Sequence, residues 1–307
     1  MVSPSIIRQR KHSKLIGDIG PLLASLMWGG MYVVSKWSLP VIGPITLGFF
    51  RVTIGALALM VIVQVTKPTR AVPRRDWIGF GVLGMFVTIT IVGQFVGTDF
   101  TNASQGSIFT MATPIFTLVL GVHHLNETMT LRKLGGVAVA VGGVACIVFA
   151  QYGMSSIAAS NYLGVGLFFT SSLAWASFTV FGKSLIQRYS PVEVAAYAAL
   201  ASVPMIAVFL PVDWILYERP FTLADLSPSV VLAILYLGIM STAAAWYLWY
   251  TGLKYTSAGT VSIYLFAQPA IGVGLGVLVL HESVGPLFFL GAVVMSIGIY
   301  AVSTEPT

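Results

Sequence analysis

Apolar residues run along this chain in long continuous stretches, which short polar segments separate. Each stretch approaches the roughly 20 residues that a helix needs to cross a bilayer. Transmembrane β-strands would instead show alternating segments of about ten residues. The pattern therefore predicts an all-α integral membrane protein with ten transmembrane helices. The predicted spans cover residues 17–36, 44–66, 77–97, 103–123, 134–151, 162–182, 192–211, 229–251, 258–280 and 286–303.

The chain carries the same five-span pattern twice. The second half repeats the first at an offset of 147 residues in the first span, where Trp28 aligns with Trp175 and Lys36 with Lys183. Later spans align at an offset of 155. The pairs at this offset are Ala103 and Ala258, Ser107 and Ser262, Pro114 and Pro269, Glu127 and Glu282, Gly136 and Gly291, and Gly143 and Gly298.

An odd number of spans in each copy means that the second copy enters the membrane from the opposite side. We therefore predict two inverted five-helix repeats, an arrangement typical of secondary transporters, with the substrate near the midplane where the repeats meet. The predicted organisation is a basic tail at 1–16, a first repeat at 17–151, a linker at 152–161, a second repeat at 162–303 and a tail at 304–307.

Charge supports this interpretation. Charged residues make up 8% of the chain, against about 25% in soluble domains. All basic residues except Lys36, Arg51 and Arg219 fall in segments that one topology places inside the cell. This positive-inside bias predicts cytoplasmic N- and C-termini in the inner (plasma) membrane. The net charge of +6 therefore reflects topology, and we expect no nucleic-acid partner.

Several motifs together resemble the EamA type of the drug/metabolite transporter superfamily, in its amino-acid and metabolite exporter branch. They are an early Trp28-Gly29 followed by Lys36, an arginine in the second span (Arg51), and the repeated order of proline, glutamate and paired glycines. The resemblance covers nearly all of residues 17–303. It implies ten helices, alternating access and export of amino acids or related metabolites. One departure is Ala198, which stands where the repeat would place a second Arg51.

Tryptophan placement points to a central cavity. Trp28 and Trp175 lie near the middle of their spans, and helical spacing puts Tyr32 and Thr179 on their respective faces. Such a face would be costly against lipid, so we expect it to face the interior, either to line a cavity or simply to pack helices. Five other tryptophans lie near span ends and are typical of an interfacial belt: Trp37, Trp77, Trp214, Trp246 and Trp249. The predicted substrate-binding or cavity residues are Trp28, Tyr32, Gln94, Thr110, Met111, Thr113, Trp175, Thr179, Tyr264 and Gln268.

Two prolines and one arginine are candidates for gating. Pro114 and Pro269 would leave the carbonyls of Thr110 and Leu265 without their usual donors, which indicates either hinges or groups that face a cavity. Arg51 lies inside a span, where a cation is costly and so a functional candidate. It could bind a substrate carboxylate, or pair with Asp99 in a structural or gating role, which we favour.

The acidic residues constrain energy coupling. All lie at span ends, in loops or in tails, so the sequence shows no carboxylate at the midplane to carry a proton. Glu127 and Glu282 neighbour histidines but lack the spacing of a zinc site, and we expect them to cap helices and pair with basic residues. We expect no metal or cofactor.

The sequence thus predicts a monomeric exporter of small metabolites, most readily aromatic or other partly apolar amino acids, working as a uniporter. One alternative is a proton-coupled efflux pump for drugs or toxic metabolites. An alternative of another class is an intramembrane lipid-modifying enzyme, which would need convergent acids, histidines or a metal site.

Overall fold

The computed structural model describes residues 4–68, 71–101, 106, 109–158, 162–217, 222, 225–280 and 285–304. Every regular element within these ranges is a helix, which confirms the all-α class. Five of the helices begin with proline, at a position where the missing N–H is not needed. The helices are α1 (Pro4–Ser38), α2 (Pro44–Thr66), α3 (Arg74–Phe100), α4 (Ala112–Leu125), α5 (Leu131–Ala158), α6 (Tyr162–Leu185), α7 (Pro191–Ala207), α8 (Leu210–Tyr217), α9 (Pro228–Tyr255), α10 (Ala258–Ile263), α11 (Ala267–Leu280) and α12 (Pro286–Ser303).

Five of these helices are long and apolar enough to cross a membrane: α2, α3, α6, α9 and α12. Large apolar side chains such as Val65, Leu232 and Tyr300 point outward from them and are more than half exposed. An apolar outer surface of this kind suits contact with lipid. The count of ten spans stays a prediction.

Glycines allow close contact between α5 and α12, the most extensively packed pair of helices. A Cβ atom on Gly143 would collide with the backbone around Gly291 and Met295, and one on Gly136 would lie 3.0 Å from the carbonyl oxygen of Gly298. Gly136 therefore faces Gly298 and Gly143 faces Gly291, so the two helices run antiparallel. Small residues commonly permit such close approach in membrane proteins.

The spans that contain Pro114 and Pro269 are interrupted. The chain turns at Thr110 and Met111 before α4 begins, and residues Tyr264–Phe266 form one 3₁₀ turn between α10 and α11. The Thr113 N–H donates to the Thr110 carbonyl (3.0 Å), and the Ala267 N–H donates to the carbonyls of Tyr264 and Leu265. The expectation that proline leaves the carbonyls of Thr110 and Leu265 free is therefore wrong, because tighter turns supply nearby donors.

Helix α9 contains a widened π-helical turn over Tyr236–Ala244. Within it the Thr242 hydroxyl donates to the Leu237 carbonyl at 2.9 Å. π-Helical turns occur often at functional sites, because they displace side chains from the regular helical register. Here the turn presents Ser241 and Thr242 to α1 and α2.

Candidate substrate cavity

Four tryptophans meet in the interior, from α1, α6 and α9. Trp28 packs edge-on against Trp175, with ring centroids 5.1 Å apart, and against Trp249 at 5.2 Å. Trp246 lies 5.8 Å from Trp175. Edge-on contacts of this kind are favourable for aromatic rings. We call Trp28, Trp175, Trp246 and Trp249 the indole cluster.

The interior position of Trp246 and Trp249 corrects the sequence interpretation. Both were expected in an interfacial belt, but both are completely buried, whereas the other three belt candidates are 40–57% exposed. Distance along a span did not reveal which face of α9 meets α1 and α6. The sequence repeat could have indicated this position. The offset of 155 aligns Trp246 with Ile91 and Trp249 with Gln94, and Gln94 is one of the predicted cavity residues.

The indole N–H groups differ in their partners. Trp28 Nε1 donates to the Ser241 carbonyl at 2.7 Å, and Trp249 Nε1 donates to the Thr179 hydroxyl at 3.1 Å. Trp175 Nε1 and Trp246 Nε1 are buried and have no acceptor among the described residues. Trp175, unlike Trp246, lines a cavity beside the indole cluster.

A narrow cavity of about 30 Å³ lies beside the indole cluster. Seven of its lining residues belong to the predicted cavity set, and Arg51, a gating candidate, also lines it; the seven are Trp28, Tyr32, Gln94, Thr110, Thr113, Trp175 and Gln268. The structure thus brings together residues from α1, α2, α3, α4, α6 and α11. Sequence reasoning missed four further lining residues, which are Met31, Thr90, Ile91 and Leu265. Met31 and Thr90 were detectable by helical spacing, since they lie three or four residues from Trp28 and Gln94.

Met111, Thr179 and Tyr264 do not line this cavity. Met111 packs with apolar residues of α5 and α12, Thr179 accepts the Trp249 N–H, and Tyr264 contacts the side chains of Asp18 and Ser303. For Met111 and Tyr264 the reason is the break in each span. The turns direct their neighbours Thr110 and Leu265 to the cavity and these two side chains away from it.

Three of the four gating candidates, Pro114, Pro269 and Asp99, lie outside the cavity wall. Pro114 and Pro269 are buried next to the interrupted segments, outside the cavity wall. Asp99 lies at the end of α3, where its main-chain carbonyl accepts from Lys36 Nζ at 3.2 Å. None of the three contacts the cavity. Their roles in gating stay predictions.

Arg51 is 2% exposed and does not form the favoured ion pair with Asp99. Its Nε donates to the Thr242 hydroxyl (2.9 Å), Nη1 to Met31 Sδ (2.7 Å) and Nη2 to the Ser241 carbonyl (3.3 Å). Its guanidinium also lies 5.6 Å from the ring centre of Phe95. The π-helical turn of α9 supplies two of these acceptors, so Arg51 turns toward α9 and the cavity.

A second polar site closes one end of the molecule, around Glu127 in the turn between α4 and α5. Its carboxylate accepts from Lys183 Nζ at 2.9 Å and from the main-chain N–H groups of Ala258 (2.7 Å) and Gly259 (3.1 Å). Burial by itself would raise the pKa of Glu127, but Lys183 and the two N–H groups lower it below its ordinary value. We call this set the Glu127 latch, and it joins the α4–α5 turn to α6 and to the start of α10.

The model of the EamA-like transporter family matches residues 15–149 and again residues 162–304. The chain belongs to the EamA-like transporter family. A probable amino-acid metabolite efflux pump of Escherichia coli (strain K12) is 26% identical, over 91% of this chain and 92% of that protein. An uncharacterized transporter of Archaeoglobus fulgidus is 28% identical, over 91% and 96%.

A solved crystal structure of a protein superposes with a TM-score of 0.76 at 19% identity, covering 96% of each chain. This likeness establishes the fold. The EamA-like transporter resemblance inferred from the motifs is confirmed by the family match. Because the relatives are named as transporters or efflux pumps, this family member is a membrane transporter and not an enzyme.

Proposed function

We propose that this EamA-like transporter exports small metabolites by alternating access, with aromatic or other partly apolar amino acids as the leading substrates. The cavity carries the proposal. Its wall combines two indoles, a phenol, a thioether, hydroxyls, two side-chain amides and one guanidinium. Apolar surface with a few convergent polar groups is typical of small-molecule sites. The two relatives named as probable amino-acid metabolite efflux pumps support the same substrate class.

The proposed mechanism uses two inverted five-helix repeats, and matching contacts support them. A Cβ atom on Gly97 of α3 would lie 3.3 Å from the Gly164 carbonyl oxygen of α6. A Cβ atom on Gly252 of α9 would lie 3.2 Å from the Gly17 carbonyl oxygen of α1. Gly252 follows Gly97 by 155 residues and Gly164 follows Gly17 by 147, which are the two offsets of the sequence repeat. Equivalent glycines thus make equivalent contacts.

Alternating access requires the cavity to open, because its present size excludes an amino acid. About 30 Å³ has room for about two water molecules, whereas ligand pockets commonly reach about 300 Å³ or more. In the proposed topology the Glu127 latch lies at the cytoplasmic end, in the inner (plasma) membrane with both termini inside. Breaking the latch would free the α4–α5 turn and let substrate enter from the cytoplasm.

Uniport by a monomer is the proposed mode. The cavity wall contains no Asp, Glu or His within the described part of the chain, so it offers no group of the usual kind to carry a proton. The buried cation Arg51 also disfavours the alternative of cationic-drug efflux, because like charges repel at this depth. One chain supplies all the walls of the cavity, so a second copy is not needed to complete it.

Transport by the purified protein in liposomes tests this function. Liposomes that contain the protein should exchange labelled phenylalanine, leucine and methionine faster than empty liposomes, and a pH gradient across the membrane should not change the net flux. The absence of exchange across a panel of all common amino acids would contradict the proposed substrate class. Flux that follows the proton gradient would contradict uniport.

A further inference from the structure

We propose that Arg51 forms a carboxylate subsite in the cavity, so that a carboxylate group on the substrate is required for binding. This inference rests on the proposed function and specifies which part of the substrate the site recognises. It differs from the structural ion pair that the sequence favoured, because Arg51 has no acidic partner among the residues that the structure describes.

The positive charge of Arg51 has no compensating anion among the described residues. Arg51 is buried, and its hydrogen-bond acceptors are a hydroxyl, a thioether sulfur and a main-chain carbonyl, all of them neutral. Within the described part of the chain it is also the only charged residue in the wall of the cavity. A buried cation is strongly stabilised when an anion joins it, whereas a thioether is a weak acceptor that a carboxylate readily replaces. The guanidinium, moreover, can bind a carboxylate through two parallel N–H groups.

The indole N–H of Trp175 is a hydrogen-bond donor beside the same cavity. Trp175 is 7% exposed and borders the same cavity. Its Nε1–H is buried and has no acceptor among the described residues. Trp28, which packs against Trp175, shares the Ser241 carbonyl with Arg51 as an acceptor. The wall near Arg51 is thus rich in donors, and an acceptor-only group such as a carboxylate suits it.

Aromatic rings form an apolar surface in the same cavity as Arg51. The rings of Trp28, Trp175 and Tyr32 adjoin the same cavity, so a substrate with its carboxylate at Arg51 can place an apolar side chain against them. The site therefore fits amphipathic carboxylic acids. It gives no comparable anionic partner to an ammonium group, so the amino group should matter less than the carboxylate.

The test compares four compounds that differ in one group each: phenylalanine, phenylalaninamide, phenethylamine and 3-phenylpropanoate. Binding to the detergent-solubilised full chain is measured by thermal shift, and competition with labelled phenylalanine is measured in liposomes. We expect the two acids to compete at least about tenfold better than the amide and the amine. In Arg51→Gln this ratio should fall to about one, and Arg51→Lys should retain part of it, because it keeps the charge but not the fork.

Arg132→Gln serves as the matched control, because Arg132 is exposed and its contact is the Thr304 hydroxyl. It should leave the ratio unchanged. The acid-to-amide ratio is read within one preparation, so partial misfolding of a variant does not alter it. Equal binding of acid and amide by the unaltered protein, or an unchanged ratio in Arg51→Gln, would overturn the carboxylate subsite while leaving transport intact. No binding or transport of any compound would instead overturn the proposed function and the subsite with it.

Discussion

Equivalent lysines in the two halves of the chain, Lys36 and Lys183, cap equivalent helix ends, and the described contacts of Lys183 also include a carboxylate. Lys36 Nζ donates to the carbonyls of Thr98, Asp99 and Thr101 at the end of α3, at 2.9–3.2 Å. Lys183 Nζ donates to the Thr256 carbonyl at the end of α9 (2.8 Å), and also to Glu127 (2.9 Å). Thr256 is the counterpart of Thr101 at the offset of 155. Each lysine thus caps the negative end of a helix.

Within the described part of the chain, Lys183 pairs with a carboxylate and Lys36 does not. Glu127 adds to the helix cap a link between the α4–α5 turn and the start of α10. Its counterpart Glu282, expected to cap and pair in the same way, lies outside the described residues, as do Ser107 and the linker residues 159–161. The lysines anchor helix ends, whereas the carboxylate joins the α4–α5 turn to the start of α10.

The largest expected effect is that of Glu127→Ala. It removes the acceptor of three hydrogen bonds and leaves Lys183 without its ionic partner, so we expect a loss of about 2–3 kcal/mol in the free energy of unfolding. We also expect the cavity to open at this end. A cysteine at Thr113, in a Cys146→Ala background, should react faster with an impermeant maleimide applied from the Glu127 side. The same reporter combined with Lys36→Met should stay protected, and equal reactivity in both would show that the carboxylate does not close this end.

Lys183→Met and Lys36→Met form a matched pair that measures the ion pair alone. Both variants lose a helix cap, but among the described residues only Lys183→Met also leaves a largely buried carboxylate without its cation. We therefore expect Lys183→Met to be less stable by about 1–2 kcal/mol. Thermal unfolding of the two proteins in the same detergent provides the comparison. Equal losses would mean that the Glu127 latch contributes nothing beyond the helix cap.

The two central tryptophans make a smaller comparison. Trp28→Phe loses the hydrogen bond to the Ser241 carbonyl, whereas Trp175→Phe loses no hydrogen bond to a described residue. Since both lose a similar volume, Trp28→Phe should be the less stable by about 1 kcal/mol. Trp175→Phe should instead weaken the binding of phenylalanine. Unfolding and thermal-shift measurements on the two variants separate these effects, and the reverse order would contradict the assignment of the free donor to Trp175.

The smallest effect concerns pH. The pKa of Glu127 is lowered from 4.5, so its contribution to stability is complete above that value and is lost as pH falls through the lower folded-state pKa. The difference in Tm between the unaltered protein and Glu127→Gln should therefore stay constant from about pH 8 to pH 5 and shrink only below about pH 4. A difference that already declines between pH 7 and pH 5 would mean that the Glu127 latch is a proton-sensitive switch.

Much of the helical layout was predictable. Helices in the described residues cover the apolar stretches of the sequence, because length and apolarity are local properties that decide whether a segment can cross a bilayer. Helix α1 (Pro4–Ser38) also extends through most of the predicted basic tail, and α5 (Leu131–Ala158) extends into the predicted linker. The breaks near Pro114 and Pro269 were predictable in position but not in form. Whether a proline leaves a carbonyl free or induces a tighter turn depends on the neighbouring helices, as the Thr113-to-Thr110 hydrogen bond shows.

The sequence by itself determined the helical class, the duplication, the family resemblance and most of the cavity wall. Periodicity places Trp28 and Tyr32 on one helical face, and that face is predicted to point inward because polar groups are costly to expose to lipid. Only the tertiary structure decided the partners of Arg51, the burial of Trp246 and Trp249, and the link from Glu127 to α10. The side-chain contacts of Arg51 and Glu127 join residues from 20 to 191 positions apart in the chain. Periodicity shows which face of a helix is buried, but only the assembled bundle determines which other helix lies against it.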